Sequence, residues 1–464
     1  MAVLQLFCSY SAGRRRQDRQ TGFGMTSDSH RLGISELRSG FTQGSLKPSV
    51  YAARLLDRID RLNPRLQAFI EIDRDGVLSA AAESDRRYSL DQQRPLEGIA
   101  MGIKSNIAVA GLENNGGMAA RQGMIADKDA AVVSKLRQAG VIILGTLNMH
   151  EAALGATTAN PFYGRCLNPH GEGRTPGGSS GGSGAAVAAG LCTASLGTDT
   201  LGSVRIPAAY CGVFGLKPTH GAVGDDGMVR LCESLDAIGP LARSVEDISF
   251  IANILFAPDL STAMQRARFL TLEGMGGVEA EPDVSQIFHV AVSMLPHIPD
   301  TISLPQDCKR IRVAGFARCA RELATHLVEL GPERCEKLSD DLSRLIEFGL
   351  DRDPHILAED EAILGEVRQV LRHHIGTNGI LVLPTAPQVA FPHGTRSPVN
   401  QADWTGLANI AGLPAISIPI GRDRDMMPIG LQMIGPPGGE ALLIAQARAL
   451  NDRLKAYAPP PQWW

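Results

Sequence analysis

The 464-residue chain is poor in aromatic side chains (5%) and nearly balanced in charge, with a formal net charge of −4. Weak charge and the lack of a long basic run beyond the first residues remove nucleic acid as an expected direct partner. Eight cysteines, Cys8, Cys166, Cys192, Cys211, Cys232, Cys308, Cys319 and Cys335, include no C-x-x-C pair. Neither a zinc site nor a redox dithiol is signalled. Cys192 and Cys211, in apolar surroundings, read as small core residues. The eleven histidines form no H-E-x-x-H, and His373–His374 fall in a helical pattern that reads as surface. Metal catalysis is therefore not indicated. No run of about 18 apolar residues occurs, so no segment reads as a membrane-spanning helix.

No secretion-type leader is recognisable either. The apolar MAVLQLFCSY precedes Arg14, Arg15 and Arg16, the reverse of a signal peptide's order of charge and apolar core. Residues 1–24 read as a disordered extension ahead of a compact body starting near Met25, and the cytoplasm is the default expectation. With 44% hydrophobic and 20% charged residues the chain can bury a large core. Length alone suggests two or three domains, although one large α/β domain also fits.

Several stretches carry local structure. Tyr51, Leu55, Ile59 and Leu62 recur on one helical face. Ser244 ahead of Val-Glu-Asp reads as an N-cap, followed by an apolar face of Ile248, Ile251, Ile254 and Leu255. ILVLPTAPQVAF reads as a buried strand stopped by Pro384, and residues 414–421 and 427–435 read as two more. Strands alternating with helices predict layered α/β architecture. Residues 256–350 are rich in helix formers.

The chemistry concentrates in residues 173–221. Two Gly/Ser turns, GGSSGG (177–182) and TLGS (200–203), flank a small-residue run from Gly184 to Leu191. Ala is the best helix former and lets a helix pack tightly. The stretch reads as loop, buried helix, short strand from Ala194 to Leu196, and a second loop presenting Ser203. A phosphate cradle would need a Lys after Gly182, and none follows. A flexible linker is not normally followed by an Ala/Val helix. TLGSV is not the G-x-S-x-G elbow of α/β-hydrolases, so something else must activate the serine.

GGSSGGS followed by GTDTLGSVRIPAAYCGVFGLKPT resembles the signature of the amidase signature family, and GIAMGIK, ending at Lys104, is similar to its upstream lysine segment. The resemblance covers most of residues 95–250 and 380–450. It implies one large α/β domain over 25–464, with a mixed, mostly parallel central sheet covered by helices on both faces and a variable helical segment near 256–350. It also implies a Ser–Ser–Lys triad. Ser203 attacks the carbonyl, Ser179, following a cis Gly178–Ser179 peptide, relays the proton, and Lys104 accepts it. Lys104 can do so only when neutral, which burial favours. Backbone N–H groups of Thr200, Leu201, Gly202 and Ser203 would hold the oxyanion. Ser180 would support the site by hydrogen bonding, and Asp199 with Arg205 would be a structural ion pair. No metal and no cofactor are implied.

Leu201 departs from the glycine most common there in the family. A positive φ would strain it, so the expectation is a negative φ, with the side chain narrowing the acyl site. The expected activity is hydrolysis of a small-molecule amide, carbamate or urea-like C–N bond (a linear amide foremost), with no membrane partner and a homodimer as an allowed assembly. The alternative is the A-type subunit of a tRNA-dependent amidotransferase, which releases ammonia from glutamine and needs partner subunits. Intact Lys104, Ser179 and Ser203 disfavour a non-catalytic protein of the same fold.

Overall fold

The computed structural model describes residues 28–258 and 266–464. The extension expected over 1–24 lies outside the described residues. Thirteen strands follow in chain order: β1 (Phe69–Ile72), β2 (Ala100–Lys104), β3 (Ile142–Leu147), β4 (Ala159–Asn160), β5 (Gly164–Arg165), β6 (Ala194–Asp199), β7 (Phe214–Lys217), β8 (Ala237–Ala242), β9 (Arg268–Leu272), β10 (Asp300–Ile302), β11 (Gly379–Pro384), β12 (Ala415–Arg422) and β13 (Pro428–Ile434). β4 and β5 form a small ribbon, and the others join one mixed sheet in the order β1-β3-β2-β6-β8-β7-β12-β13-β11-β9-β10.

Parallel pairing occupies two blocks, β3-β2-β6 and β11-β9-β10. Between them, from β6 through β8, β7, β12 and β13 to β11, every pair is antiparallel, as is β1 with β3. Connection length explains part of this. Residues 423–427 between β12 and β13 can only turn back, whereas β2 reaches β3 through the helix Ala131–Gln138.

The sheet is buried on both faces, which is why its strands read as uninterrupted apolar runs. Along β11, Ile380 and Val382 enter one apolar cluster while Leu381 and Leu383 enter the other, the period of two that a pleated strand imposes. Helices Gly181–Ala188, Val245–Leu255 and Glu440–Leu454 cover the first face. Helices Cys308–Leu327, Pro354–Ile375 and Gly406–Ile410 cover the second.

Local signals place several elements. Helix Pro48–Leu66 buries Tyr51, Leu55 and Ile59, with Leu62 half-buried. Ser244 caps Val245–Leu255 by accepting the Asp247 N–H. The small-residue helix runs over Gly181–Ala188 rather than Gly184–Leu191, because two glycines of the first turn already adopt helical backbone and Gly190, at φ 64°, terminates it. Residues 266–350 are helical as expected but also hold β9 and β10 at one sheet edge, where the strands are too short to leave a periodic signal.

Candidate active site

β2 and β6 are adjacent and parallel, so Lys104 at the end of β2 and Thr198–Asp199 at the end of β6 emerge on the same sheet edge. Open α/β sheets place ligand sites at such carboxyl ends. The Lys104 amine lies 2.7 Å from Ser179 Oγ and 2.7 Å from Thr198 Oγ1. Its side chain is fully buried, and burial brings its pKa down to about 7, with Asp236 and Asp199 opposing the shift. A buried ammonium is costly in apolar surroundings, so the amine spends much of its time neutral near physiological pH.

Ser179 follows a cis Gly178–Ser179 peptide. Its carbonyl accepts the His150 N–H at 3.0 Å. Ser180 ties two segments together: its Oγ donates to the Thr198 carbonyl at 3.1 Å, and its N–H donates to the Ser203 carbonyl at 3.2 Å. Gly182 is required by close approach, since a Cβ there would sit 2.4 Å from the Asn148 carbonyl oxygen.

The 200–203 loop is braced by the buried pair Asp199–Arg205. Arg205 Nε and Nη2 meet the carboxylate at 3.0 and 2.9 Å, and neither side chain is exposed. Burial works against the charged carboxylate, but the Arg205 guanidinium outweighs it and holds Asp199 at about 2. Arg205 also donates to Gln432 and Asn409, while the Asn409 amide donates to the Asp199 carbonyl.

Gly202 is corrected by this geometry. It was expected among the oxyanion donors, but its N–H is committed to Asp199 Oδ1 at 2.8 Å. The N–H groups of Thr200, Leu201 and Ser203 make no hydrogen bond among the described residues. Gly202 instead supplies the left-handed φ of 129°, and a Cβ there would collide with Thr405 Oγ1. Leu201 is absent from the described non-glycine residues with positive φ, so its backbone is unstrained. Its Cδ2 comes within 3.4 Å of where a Cβ on Gly315 would stand and 3.5 Å of one on Gly406, so the two glycines leave it room.

A cavity of about 700 Å³ opens onto Ser203, Thr200 and Leu201. The helices Cys308–Leu327 and Asp340–Leu350 supply an apolar wall through Val313, Phe316, Leu345 and Phe348. Arg312, also in the wall, is paired with Asp403 at 2.5 Å. Ser203 retains 9% exposure, whereas Ser179 and Lys104 have none, and no hydrogen bond joins the two serine hydroxyls among the described residues. The residue facing the cavity is thus the serine, and the amine sits behind.

Sequence reasoning passed over Thr198, which shares the Lys104 amine with Ser179, and Asp236, whose carboxylate accepts the Thr200 hydroxyl. Thr198 lay within the motif as an ordinary strand residue. Asn409 and Gln432 gave no local sign. Among the described residues no group of three His, Cys, Asp or Glu side chains is placed to hold a metal, and no helix is long and apolar enough to cross a membrane.

A family model described as Amidase matches residues 51–274 and 337–444. The A-type subunit of the glutamyl-tRNA(Gln) amidotransferase of Thermus thermophilus is 32% identical, with 90% of this chain and 96% of the relative covered. Among solved structures, a chain of a vestigial protein complex that reveals the evolutionary origins of an s-triazine catabolic enzyme matches with TM-score 0.85 at 29% identity, covering 91% of this chain and 98% of that one. A crystal structure of an amidase matches with TM-score 0.84 at 28% identity, over 91% and 100% of the two chains. The family model covers well over half of the residues, and a relative above 30% identity spans nearly the whole chain. The protein belongs to the amidase signature family.

Proposed function

We propose that the protein cleaves amide C–N bonds through a seryl acyl-enzyme, with Ser203 as nucleophile, Ser179 as relay and Lys104 as base. The observation that carries this is a fully buried lysine, brought to about 7, 2.7 Å from Ser179 Oγ behind a cavity lined by Ser203. A serine hydroxyl is a weak nucleophile at neutral pH and needs a positioned base. In this reading the Ser203 proton passes through Ser179 to the neutral Lys104 amine as the Ser203 oxygen bonds to the carbonyl carbon. The oxyanion is held by N–H groups of Thr200, Leu201 and Ser203. As the C–N bond breaks, the proton returns through Ser179 to the departing nitrogen, and water or another acceptor then releases the acyl group from Ser203.

Two acceptors fit. The relatives named as amidotransferase A-type subunits support ammonia transfer from glutamine more strongly than free-standing hydrolysis. The apolar wall of Val313, Phe316, Leu345 and Phe348 is the observation on the side of hydrolysis, because it suits a small neutral amide with an apolar or flat acyl group. The test is release of ammonia or amine by the purified chain from acetamide, benzamide, an anilide, a urea and glutamine. Release from at least one is the expected result. Neutral apolar amides as best substrates mark a hydrolase, whereas glutamine turnover that needs added partner subunits marks the transferase. No release under either condition overturns amide cleavage.

Leu201 gives a second measurable expectation. Its side chain borders the cavity, so Leu201→Gly should raise kcat/KM for bulkier acyl groups relative to small ones by about tenfold or more, the lower end of what even one methylene group in an apolar pocket produces. Turnover of the small substrate should persist. Unchanged selectivity across an acyl-length series would remove Leu201 from the acyl site.

A further inference from the structure

Asp236 is 7% exposed and precedes β8, yet among the described residues no cation lies within salt-bridge reach of its carboxylate. A buried carboxylate without a cation is costly unless several donors satisfy it. Three do. Oδ1 accepts the Thr200 hydroxyl, while Oδ2 accepts the N–H groups of Leu231 at 2.9 Å and Cys232 at 3.1 Å. The loop that carries Ser203 is therefore suspended from two buried carboxylates. Asp199 holds its later part through the N–H groups of Gly202 and Val204, and Asp236 holds its first residue through a side chain.

We propose that Asp236 is a positioning residue for the oxyanion loop, fixing Thr200 so that the free N–H groups of Thr200, Leu201 and Ser203 are pre-set for the developing negative charge. This rests on the reading of Ser203 and Lys104 given above. The apolar alternative at position 236 would leave the Thr200 hydroxyl and two backbone N–H groups without an acceptor. Pre-organised donors are effective because they need no rearrangement as the charge forms.

The same carboxylate acts on the base. Asp236 is the larger of the two negative charges that oppose the downward shift of Lys104, and its own pKa is pushed up to about 6 by burial. Asp199 on β6 also acts on Lys104 and is itself held by Arg205 on the helix that follows and by Lys217 on β7, while the buried His150 imidazole faces Lys104 and is brought down to about 4, chiefly by burial. The His220 ring meets the Asp236 carbonyl at 3.2 Å, and Glu322 with Cys319, from helix Cys308–Leu327, face the turn that holds Cys232. Lys217 is also brought down to about 7, but by burial, then by Arg205, with no contribution from Asp236. A shift of the limb near pH 7 on changing Asp236 therefore reports on Lys104 rather than Lys217, whereas loss of the carboxyl's own titration falls lower, at about 6.

The sign follows. A negative Asp236 favours the ammonium form of Lys104, so its removal lowers the pH at which the neutral base forms.

The experiment is the pH profile of kcat/KM for the full chain, from about pH 5 to 9, in wild type and three variants. Wild-type activity should rise with pH through about 7. Asp236→Asn should move that limb to lower pH by about half a unit or more and lower plateau kcat about tenfold with KM little changed. Thr200→Val, which removes the link but keeps the charge, should lower kcat by a similar factor with the limb in place. Thr200→Ser, which keeps the hydroxyl, should restore it. Should Asp236→Asn fail to fold by thermal melting, the Thr200→Val and Thr200→Ser pair still decides. Wild-type kcat in Thr200→Val, or an unmoved limb with unchanged kcat in a folded Asp236→Asn, overturns the proposal. A wild-type profile flat through pH 7 would instead remove Lys104 as the base, and with it the footing of this inference.

Discussion

Ser203→Ala and Lys104→Met will each lower kcat by about three orders of magnitude or more, and the double variant will lose little beyond either single one. Residues that act as one unit are strongly non-additive, because removing any member disables the same step. Ser203 faces the cavity and Lys104 stands behind it, joined to Ser179 at 2.7 Å. A positioned general base contributes about 10²–10⁴-fold, and loss of the attacking oxygen removes covalent catalysis altogether. Met is chosen at position 104 because the amine is buried and brought down to about 7, so an apolar chain of similar length replaces a group that burial already drives toward its neutral form. The variant should therefore keep its melting transition while losing turnover. Either single variant retaining kcat within about tenfold of wild type, on the amide the substrate panel identifies, would break the unit.

The order of Lys104, Ser179 and Ser203 was legible because each sits in a contiguous motif whose small residues are needed for close approach, as Gly182 shows against the Asn148 carbonyl. β11 was legible because a strand buried on two faces must be apolar at every position. Asp236 was not. A lone aspartate between Leu235 and Ala237 looks like any surface acid until the fold carries it beside Thr200. Asn409 and Gln432 reach Arg205 across more than two hundred residues of chain, a separation over which sequence carries no pairing information. The Gly202 N–H was misassigned for a related reason. Motif order says which residues share a loop, but not which N–H groups the neighbouring carboxylate has already taken. The apolar cavity wall likewise comes from helices Cys308–Leu327 and Asp340–Leu350, and the first of these lies wholly in the stretch 275–336 that the family model leaves unmatched.

Arg205→Met will destabilise the fold by about 3–5 kcal/mol, the cost of leaving a buried charge without its partner. That is a large part of the roughly 5–15 kcal/mol by which a domain is stable. Asp199 and Arg205 are both fully buried and bonded through two N–H···O contacts, whereas the half-exposed Arg448–Glu246 pair should change stability by less than about 1 kcal/mol on Arg448→Ala. In wild type Asp199 is held at about 2, below its ordinary value of 3.8. Its contribution to stability is therefore present above about pH 4 and is lost as pH falls toward 2. Without Arg205 the largest downward influence is gone and burial, which raises the carboxyl, prevails. The sign then reverses, and the variant should lose less stability relative to wild type as pH falls, because a protonated Asp199 no longer needs a cation. Urea denaturation of Arg205→Met and of the double variant Asp199→Asn/Arg205→Met measures this. The double variant should recover part of the loss, since it buries an amide in place of an unpaired carboxylate. An Arg205→Met protein within about 1 kcal/mol of wild type, or a double variant no more stable than the single one, would mean the pair does not carry the loop as its geometry indicates.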